Sequence, residues 1–204
     1  MVQALRYEKF EDNSGDCLSN FLIERVKNDI TLSTLFFWYL SVECASTRPK
    51  NETKSLVAQN YERIRSFFLE TLSEEKETQK ILDSLMDQEK LREKLKDITE
   101  KVKRFDTNQR KKEELKKICS QKEFQKNEFA ERPLCLNPNF IITSFEADEC
   151  FVFKSAMAPL RMCFKGYEKE SREKADIKKK VIFFYMIFYS FIKPLTNSHM
   201  YKKL

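Results

Sequence analysis

Apolar residues recur at helical spacing through the first two thirds of the chain and crowd into short runs in the last third. Residues 1–12 read as the end of one segment, and Asp12-Asn13-Ser14-Gly15-Asp16 as a turn. Cys17 to Val26 predicts a helix with Leu18, Phe21, Leu22 and Val26 on one face. Asn28 and Asp29 end it. Thr31 to Cys44 predicts a second helix, apolar nearly all round (Leu32, Leu35, Phe36, Phe37, Trp38, Leu40, Val42) and so buried on most sides. Ser46–Thr53, with Pro49, is a polar loop. Val57, Tyr61, Ile64 and Phe68 step by four, three and four along a third helix, Lys54–Leu72. Ser73, followed by Glu74 and Glu75, reads as the cap of the next helix. Leu91, Leu95, Ile98, Val102 and Phe105 carry that helix to about Phe105. Asp106-Thr107-Asn108 interrupts it before a helical stretch over Lys111–Ser120. Helical pairs in series suit an α-solenoid.

The grammar changes near Glu131. Arg132-Pro133-Leu134-Cys135-Leu136-Asn137-Pro138 cannot be helical, with two prolines five apart. Three β-type runs come after it: Phe140–Thr143, Cys150–Lys154 and Leu160–Lys165. A polar turn at Glu146–Glu149 and a small-residue turn at Ala156–Pro159 separate them. The fold class expected is mainly α, with a small antiparallel sheet of about three strands at the end. The organisation expected is a helical part over 1–126, a sheet-forming part over 127–166 and a basic, apolar tail over 167–204.

Composition narrows the chemistry. Gly15 and Gly166 are the two glycines of the 204 residues, so neither a G-x-G-x-x-G turn nor a Walker loop can be built. The lone His199 leaves no His-rich zinc site and little room for a His-based triad. Six cysteines at 17, 44, 119, 135, 150 and 163 show no C-x-x-C spacing, and Arg6, Glu8 and Lys9 forestall a signal peptide. They read as reduced, cytosolic and structural. The net charge of +6 lies in residues 165–204, with ten basic and four acidic side chains; the 28 basic and 28 acidic residues before them cancel. A nucleic-acid role for the body has no electrostatic support. The alternating charge of Lys90–Lys126 admits an acidic-ligand or phosphate surface, or a solvated helix face laced with i,i+4 pairs. The second needs no ligand and is preferred.

Several segments, in order, resemble the phosphatidylinositol 3-kinases. Val2–Glu8, Phe21-Leu22-Ile23-Glu24-Arg25, Thr31-Leu32, Phe37-Trp38-Tyr39-Leu40 and Val42-Glu43-Cys44 are similar to the last helical pairs of that family's helical domain, closest in flavour to class III. Arg110-Lys111-Lys112 falls in the helix that precedes the kinase domain. Pro133-Leu134-Cys135-Leu136-Asn137-Pro138 is similar to the entry into the kinase N-lobe. Phe153 to Pro159 resembles the loop that covers the nucleotide phosphates; taken alone, Ser155–Pro159 reads as an ordinary β-turn.

The resemblance implies transfer of the ATP γ-phosphate to the inositol 3-hydroxyl of phosphatidylinositol, with magnesium or manganese neutralising phosphate charge. It assigns nucleotide binding to Lys154, Ser155, Ala156, Met157, Ala158 and Pro159. Backbone N–H groups and the Ser155 hydroxyl would donate to phosphate, and small side chains would permit close approach. It implies a regulatory protein-kinase-like subunit and a coiled-coil autophagy subunit as partners. It also implies a cytoplasmic location, peripheral to endosomal or autophagic membranes.

The sequence then departs from the family. Tyr167–Asp176 is a charged stretch without counterpart. Val181-Ile182-Phe183 echoes the strand that carries the ATP-binding lysine, with Phe184 in the lysine's place, and is read as coincidental. No Asp-Arg-His and no Asp-Phe-Gly run occurs, so no catalytic residue and no metal ligand is assigned. The expectation is a catalytically incompetent fragment. The alternative is a non-catalytic helical binding module or dominant-negative fragment. A coiled-coil adaptor would rest on Leu91–Phe105 alone. In the tail, Lys178-Lys179-Lys180 and apolar Val181–Ile192 are too short to span a bilayer. They suggest an interfacial anchor, or a segment that packs poorly; the second reading is preferred because no polar face is present.

Overall fold

The computed structural model describes Leu5 and residues 18–46, 56–121, 131–154, 159–169 and 178–184, with the backbone alone for 46 and 178–184. The chain divides into two compact units, with the division along the sequence falling after Ile81.

The first unit is helical. Helix α1 spans Leu18–Val26 and α2 spans Ile30–Ser46. Asp29 separates them: its Oδ1 accepts the N–H groups of Thr31 and Leu32 at 2.8 and 2.9 Å. A carboxylate at that point satisfies donors that the first turn leaves open. Ser33 is fully buried because its hydroxyl donates to the Val26 carbonyl at 2.7 Å, closing the end of α1. The face of α1 that packs inward is Ser19, Leu22 and Ile23. Phe21, expected inside, is 51% exposed.

Helix α2 is also less enclosed than expected. Phe36, Phe37, Trp38 and Leu40 are buried, but Leu32 and Leu35 in its first turns are about half exposed (47% and 53%). An apolar circumference describes what a helix could bury, and here one sector has no neighbour among the described residues. Helix α3, Leu56–Glu74, packs on α2 through Ala58, Tyr61, Ile64, Phe68, Thr71 and Leu72. Phe36 meets Phe68 edge-on at 5.2 Å, and Tyr39 meets Tyr61 at 6.2 Å. Arg65 lies over the Phe37 ring at 4.8 Å and donates to the Ser41 hydroxyl at 3.2 Å. The polar loop expected at Ser46–Thr53 lies outside the described residues, save that residue 46 ends α2.

The cap expected at Ser73 is not one. Ser73 and Glu74 form the last turn of α3, and the Ser73 hydroxyl donates backward to the Glu70 carbonyl at 2.7 Å. A hydroxyl can cap a start or bond back at an end, and the sequence pattern does not distinguish the two. Thr78 closes the turn instead, donating to the Leu72 and Glu75 carbonyls at 2.8 and 2.9 Å. Glu75 then pairs with Lys27 at 2.8 Å, and the hydrogen bonds that the Lys27 ammonium donates to Glu75 and Glu24 hold it above its ordinary pKa.

Helix α4 covers Gln79–Lys103, and α5 covers Asn108–Ser120. Thr107 caps α5, its hydroxyl accepting the Arg110 N–H at 3.3 Å, so the expected interruption stands where the sequence put it. Ion pairs along α4 include Asp87–Lys90, Glu89–Arg92, Glu93–Lys96 and Glu100–Lys103, each joining residues three apart, and Gln109 of α5 donates to Glu113 four residues on.

Beyond α5 the second unit is an antiparallel sheet of five strands: β1 (Arg132–Leu134), β2 (Asn137–Phe145), β3 (Phe151–Val152), β4 (Leu160–Glu168) and β5 (Lys178–Phe184). β2 pairs with β1 and β4, and β3 and β5 also pair with β4. The three expected strands are present. Two more flank them, and β5 takes the sheet beyond residue 166. The polar turn at Glu146–Glu149 contains one 3-10 turn, Ala147–Glu149. Leu91, Leu95, Ile98 and Val102 of α4 and Leu115, Ile118 and Cys119 of α5 share one core with Phe140, Ile142, Phe145, Leu160, Met162 and Phe164 of the sheet. Each such side chain, buried whole, contributes about 1.5–3 kcal/mol.

Candidate functional site

The assigned nucleotide-binding segment lies between β3 and β4. Phe151 pairs with Arg161 and Val152 with Leu160, and the Phe153 N–H donates to the Pro159 carbonyl at 3.0 Å. Lys154 is exposed and Pro159 buried, one at each end of the connection. Ser155, Ala156, Met157 and Ala158 lie outside the described residues, so the structure brings only two of the six assigned residues to known places.

Several side-chain contacts join the two strands at the base of this hairpin. The Arg161 guanidinium sits over the Phe151 ring at 5.3 Å, and the Phe151 and Phe153 rings meet tilted at 4.9 Å between centroids. Arg161 also reaches Glu149 at 3.8 Å, and Lys165 pairs with Glu146 at 2.6 Å. Sequence reasoning does not single these residues out. The signal it offers is the Glu146–Glu149 turn facing a cationic strand, Arg161 and Lys165.

β5 bears on the same site. Its backbone register sets Phe184 opposite Leu160, next to Pro159, while Lys178, Lys179 and Lys180 pair with Gly166, Lys165 and Phe164 at the far end of β4. No lysine of β5 therefore stands at the hairpin end. The echo read as coincidental lies on a strand of this sheet, with phenylalanine at the position where the resemblance implies lysine. Val181–Ile192, expected to be a segment that packs poorly, with an interfacial anchor as the alternative, is strand over its first four residues, and the rest lies outside the described residues.

The opposite side of the sheet is joined to α4. Arg132 pairs with Asp87 at 3.3 Å, the Cys135 thiol donates to the Gln88 carbonyl at 3.3 Å, and the Gln88 side chain accepts the Leu136 N–H at 3.2 Å. Leu136 has a positive φ (63°), which the two-residue β1–β2 turn imposes, and Glu131, just ahead of β1, has one of 61°. Cys135 is half-buried as a residue, with its thiol turned inward; burial and the nearby Glu89 carboxylate push its pKa up to about 12. Among the described residues no three His, Cys, Asp or Glu side chains are arranged to hold a metal ion, and no helix is long and apolar enough to cross a membrane.

Residues 1–81 match the accessory domain of the phosphoinositide 3-kinase family, the PIK domain. Those residues comprise α1 to α3 and the start of α4. Over 173 residues the chain is 32% identical to phosphatidylinositol 3-kinase pik3 of Schizosaccharomyces pombe, an alignment covering 81% of this chain and 20% of that protein. It is 31% identical over 185 residues to phosphatidylinositol 3-kinase VPS34 of Arabidopsis thaliana, covering 88% of this chain and 22% of that one. The root isoform of phosphatidylinositol 3-kinase from Glycine max is 30% identical over 172 residues. The chain is thus similar to these phosphatidylinositol 3-kinases through most of its own length, and spans about a fifth of theirs.

Proposed function

We propose that this chain is the junction of a VPS34-type phosphatidylinositol 3-kinase: the end of its accessory domain, the connecting helices and the first strands of its kinase lobe. The observation that carries this reading is the extent of the identity. An alignment of 173 residues is longer than either compact unit, so it cannot rest on the helical unit alone. The activity proposed for the complete enzyme is ATP-dependent phosphorylation of phosphatidylinositol at the 3-hydroxyl, serving autophagy and endosomal traffic at membrane surfaces. Its partners there are a regulatory protein-kinase-like subunit and a coiled-coil subunit.

Phosphoryl transfer of this kind depends on positioning and on neutralising phosphate charge. In this chain the hairpin connection Lys154–Pro159 would supply positioning, through the exposed Lys154 ammonium and backbone N–H groups held between fixed strand ends. Magnesium or manganese would supply the charge. The described residues offer no ligand set for either ion, so no step is assigned to one. With no Asp-Arg-His or Asp-Phe-Gly run in residues 1–204, and Phe184 in register with Leu160, the isolated polypeptide is inactive.

Two chimeras test the reading. Residues 1–166 replace the matching segment of the fission yeast enzyme in one, and residues 1–184 in the other. The first is expected to make phosphatidylinositol 3-phosphate and the second to lose that activity. A folded 1–166 chimera without activity would overturn the proposal. Robust product from isolated 1–204 would overturn the inactivity.

The second reading, a non-catalytic helical binding module that acts by competition, is favoured by one observation: phenylalanine on β5 where the resemblance implies lysine. It requires that isolated 1–204 bind the family's subunits. Co-purification with them would separate it from the first reading.

A further inference from the structure

We infer that the corner between α4 and α5 is a docking surface for an anionic membrane, which Lys101, Arg104, Arg110, Lys111 and Lys112 attract and Phe105 enters. The inference concerns binding alone and is independent of any lipid-kinase role.

Charge is not evenly balanced along these two helices. Over residues 87–96 cations and carboxylates answer one another: Lys90 pairs with Asp87, Arg92 with Glu89 and Lys96 with Glu93. At the corner the balance fails. Residues 101–112 hold six basic side chains and one acidic one, Asp106, a net charge of +5. Lys103 is engaged by Glu100. The other five cations have no ion pair among the described residues; Lys101, Arg104, Arg110 and Lys112 are exposed and Lys111 is half-buried. The next carboxylates, Glu113 and Glu114, follow Lys112 directly, and Glu113 accepts from Gln109 at 2.8 Å instead of from a cation.

The fold brings these residues to one place. Helix α4 ends at Lys103 and α5 begins at Asn108, so the link between them is short. The Arg104 and Phe105 N–H groups donate to the Lys101 and Val102 carbonyls, both at 3.3 Å, which sets the end of α4. Thr107 sets the start of α5: its hydroxyl accepts the Arg110 N–H at 3.3 Å and its carbonyl accepts the Lys111 N–H at 3.0 Å. Val102 and Leu115 are fully buried in the core of the second unit and anchor both helices by their inner faces. No acidic residue stands in the first turn of α5, and the positive end of its dipole adds to the cations there. An anionic surface relieves that repulsion.

A membrane suits the corner better than a soluble polyanion. Phe105 is a half-buried aromatic ring next to Arg104, and aromatic rings flanked by cations suit the lipid–water boundary. A single-stranded nucleic acid is held instead by several aromatic rings along a basic groove, and the corner offers one ring. Each lysine or arginine near an anionic leaflet strengthens binding about fivefold, and salt screens the attraction.

The test uses the whole 204-residue chain. It is mixed with vesicles of phosphatidylcholine alone, or of phosphatidylcholine with phosphatidylserine, and binding is read by co-sedimentation across a salt series. The expected result is binding to the anionic vesicles alone, falling as salt rises. The combined variant Lys101→Gln, Arg104→Gln, Arg110→Gln, Lys111→Gln is expected to bind at least about tenfold more weakly. Two controls are expected to keep most of the binding: Lys76→Gln, Lys80→Gln, Lys90→Gln, Lys96→Gln, away from the corner, and Lys178→Gln, Lys179→Gln, Lys180→Gln on β5. No binding by the unaltered chain, or a loss in either control as large as in the corner variant, would overturn the inference. So would capture by heparin without binding to the vesicles. A second measurement needs no variant: an amine-reactive label on the unaltered chain is expected to find Lys101, Lys111 and Lys112 shielded by the anionic vesicles and Lys80 not. Corner lysines that stay fully reactive on the vesicle-bound chain would overturn the inference even if a variant fails to fold.

Discussion

The Gln88 side chain accepts the backbone N–H of Leu136 at 3.2 Å, across 48 residues of sequence. Gln88 is fully buried, and its own carbonyl accepts the Cys135 thiol, so one residue of α4 holds both residues at the tip of the β1–β2 hairpin. Gln88→Ala removes one of those bonds and leaves a polar group at the hairpin without its partner. A loss of about 1–2 kcal/mol is expected, read as a lower urea midpoint at unchanged slope. An unchanged midpoint would mean that the contact is idle.

Gly166 is needed for close approach, not for an unusual φ. A Cβ there would lie 2.0 Å from the Ile141 carbonyl oxygen and 2.7 Å from the Phe140 ring. The first clash is with backbone of the paired strand and cannot be relieved by a rotamer change. Gly166→Ala is expected to destabilise the chain by about 3 kcal/mol or to unpair β2 from β4. Amide exchange along β2 distinguishes the two.

Cys135 makes stability fall at high pH. In the unfolded chain its thiol ionises near the ordinary value of 9.0, and in the fold only at about 12. Between those values the unfolded state binds fewer protons, so stability is complete below pH 9 and declines as pH rises. The slope from this group is at most about 1.4 kcal/mol per pH unit. Cys135→Ala is expected to flatten the decline between pH 9 and about 12, in denaturant titrations across that range. An identical slope in the variant would contradict the assignment.

Phe68 is fully buried and meets Phe36 edge-on. Phe68→Ala empties the centre of the α2–α3 contact, at a cost of about 3–5 kcal/mol. Phe67→Ala, one position along and 41% exposed, is expected to cost less than about 1 kcal/mol. Thermal melts of the two variants side by side check the contrast.

The helices are legible in the sequence where spacing alone decides, as at Tyr61, Ile64 and Phe68 or Leu91 to Val102. The sequence misleads where a residue type has two uses. Ser73 and Thr78 are both hydroxyls near a helix end, and only the backbone path shows that both bond backward. Phe21 and Leu35 look like core until the helices are placed, because hydrophobicity does not say whether a neighbour exists. β1 is hidden by Pro133, which reads as a strand breaker but is tolerated because β1 lies at the edge of the sheet. β5 is hidden by its setting in a charged, unfamiliar tail, although Val181–Phe184 has the composition of a strand. Of the candidate site, the hairpin position is readable from the runs on either side of it. The Arg161 and Glu149 contacts that fix its base are not, since they join residues twelve apart across a turn.

The hydrogen bond from Phe153 to Pro159 has a further consequence. It closes the hairpin below the connecting residues, so the pairing of Phe151 with Arg161 and Val152 with Leu160 does not depend on the identity of residues 154–158. Substitutions there are insulated from the strand register. The binding role proposed for Lys154–Pro159 would therefore be open to change by point mutation without loss of the pairing beside it.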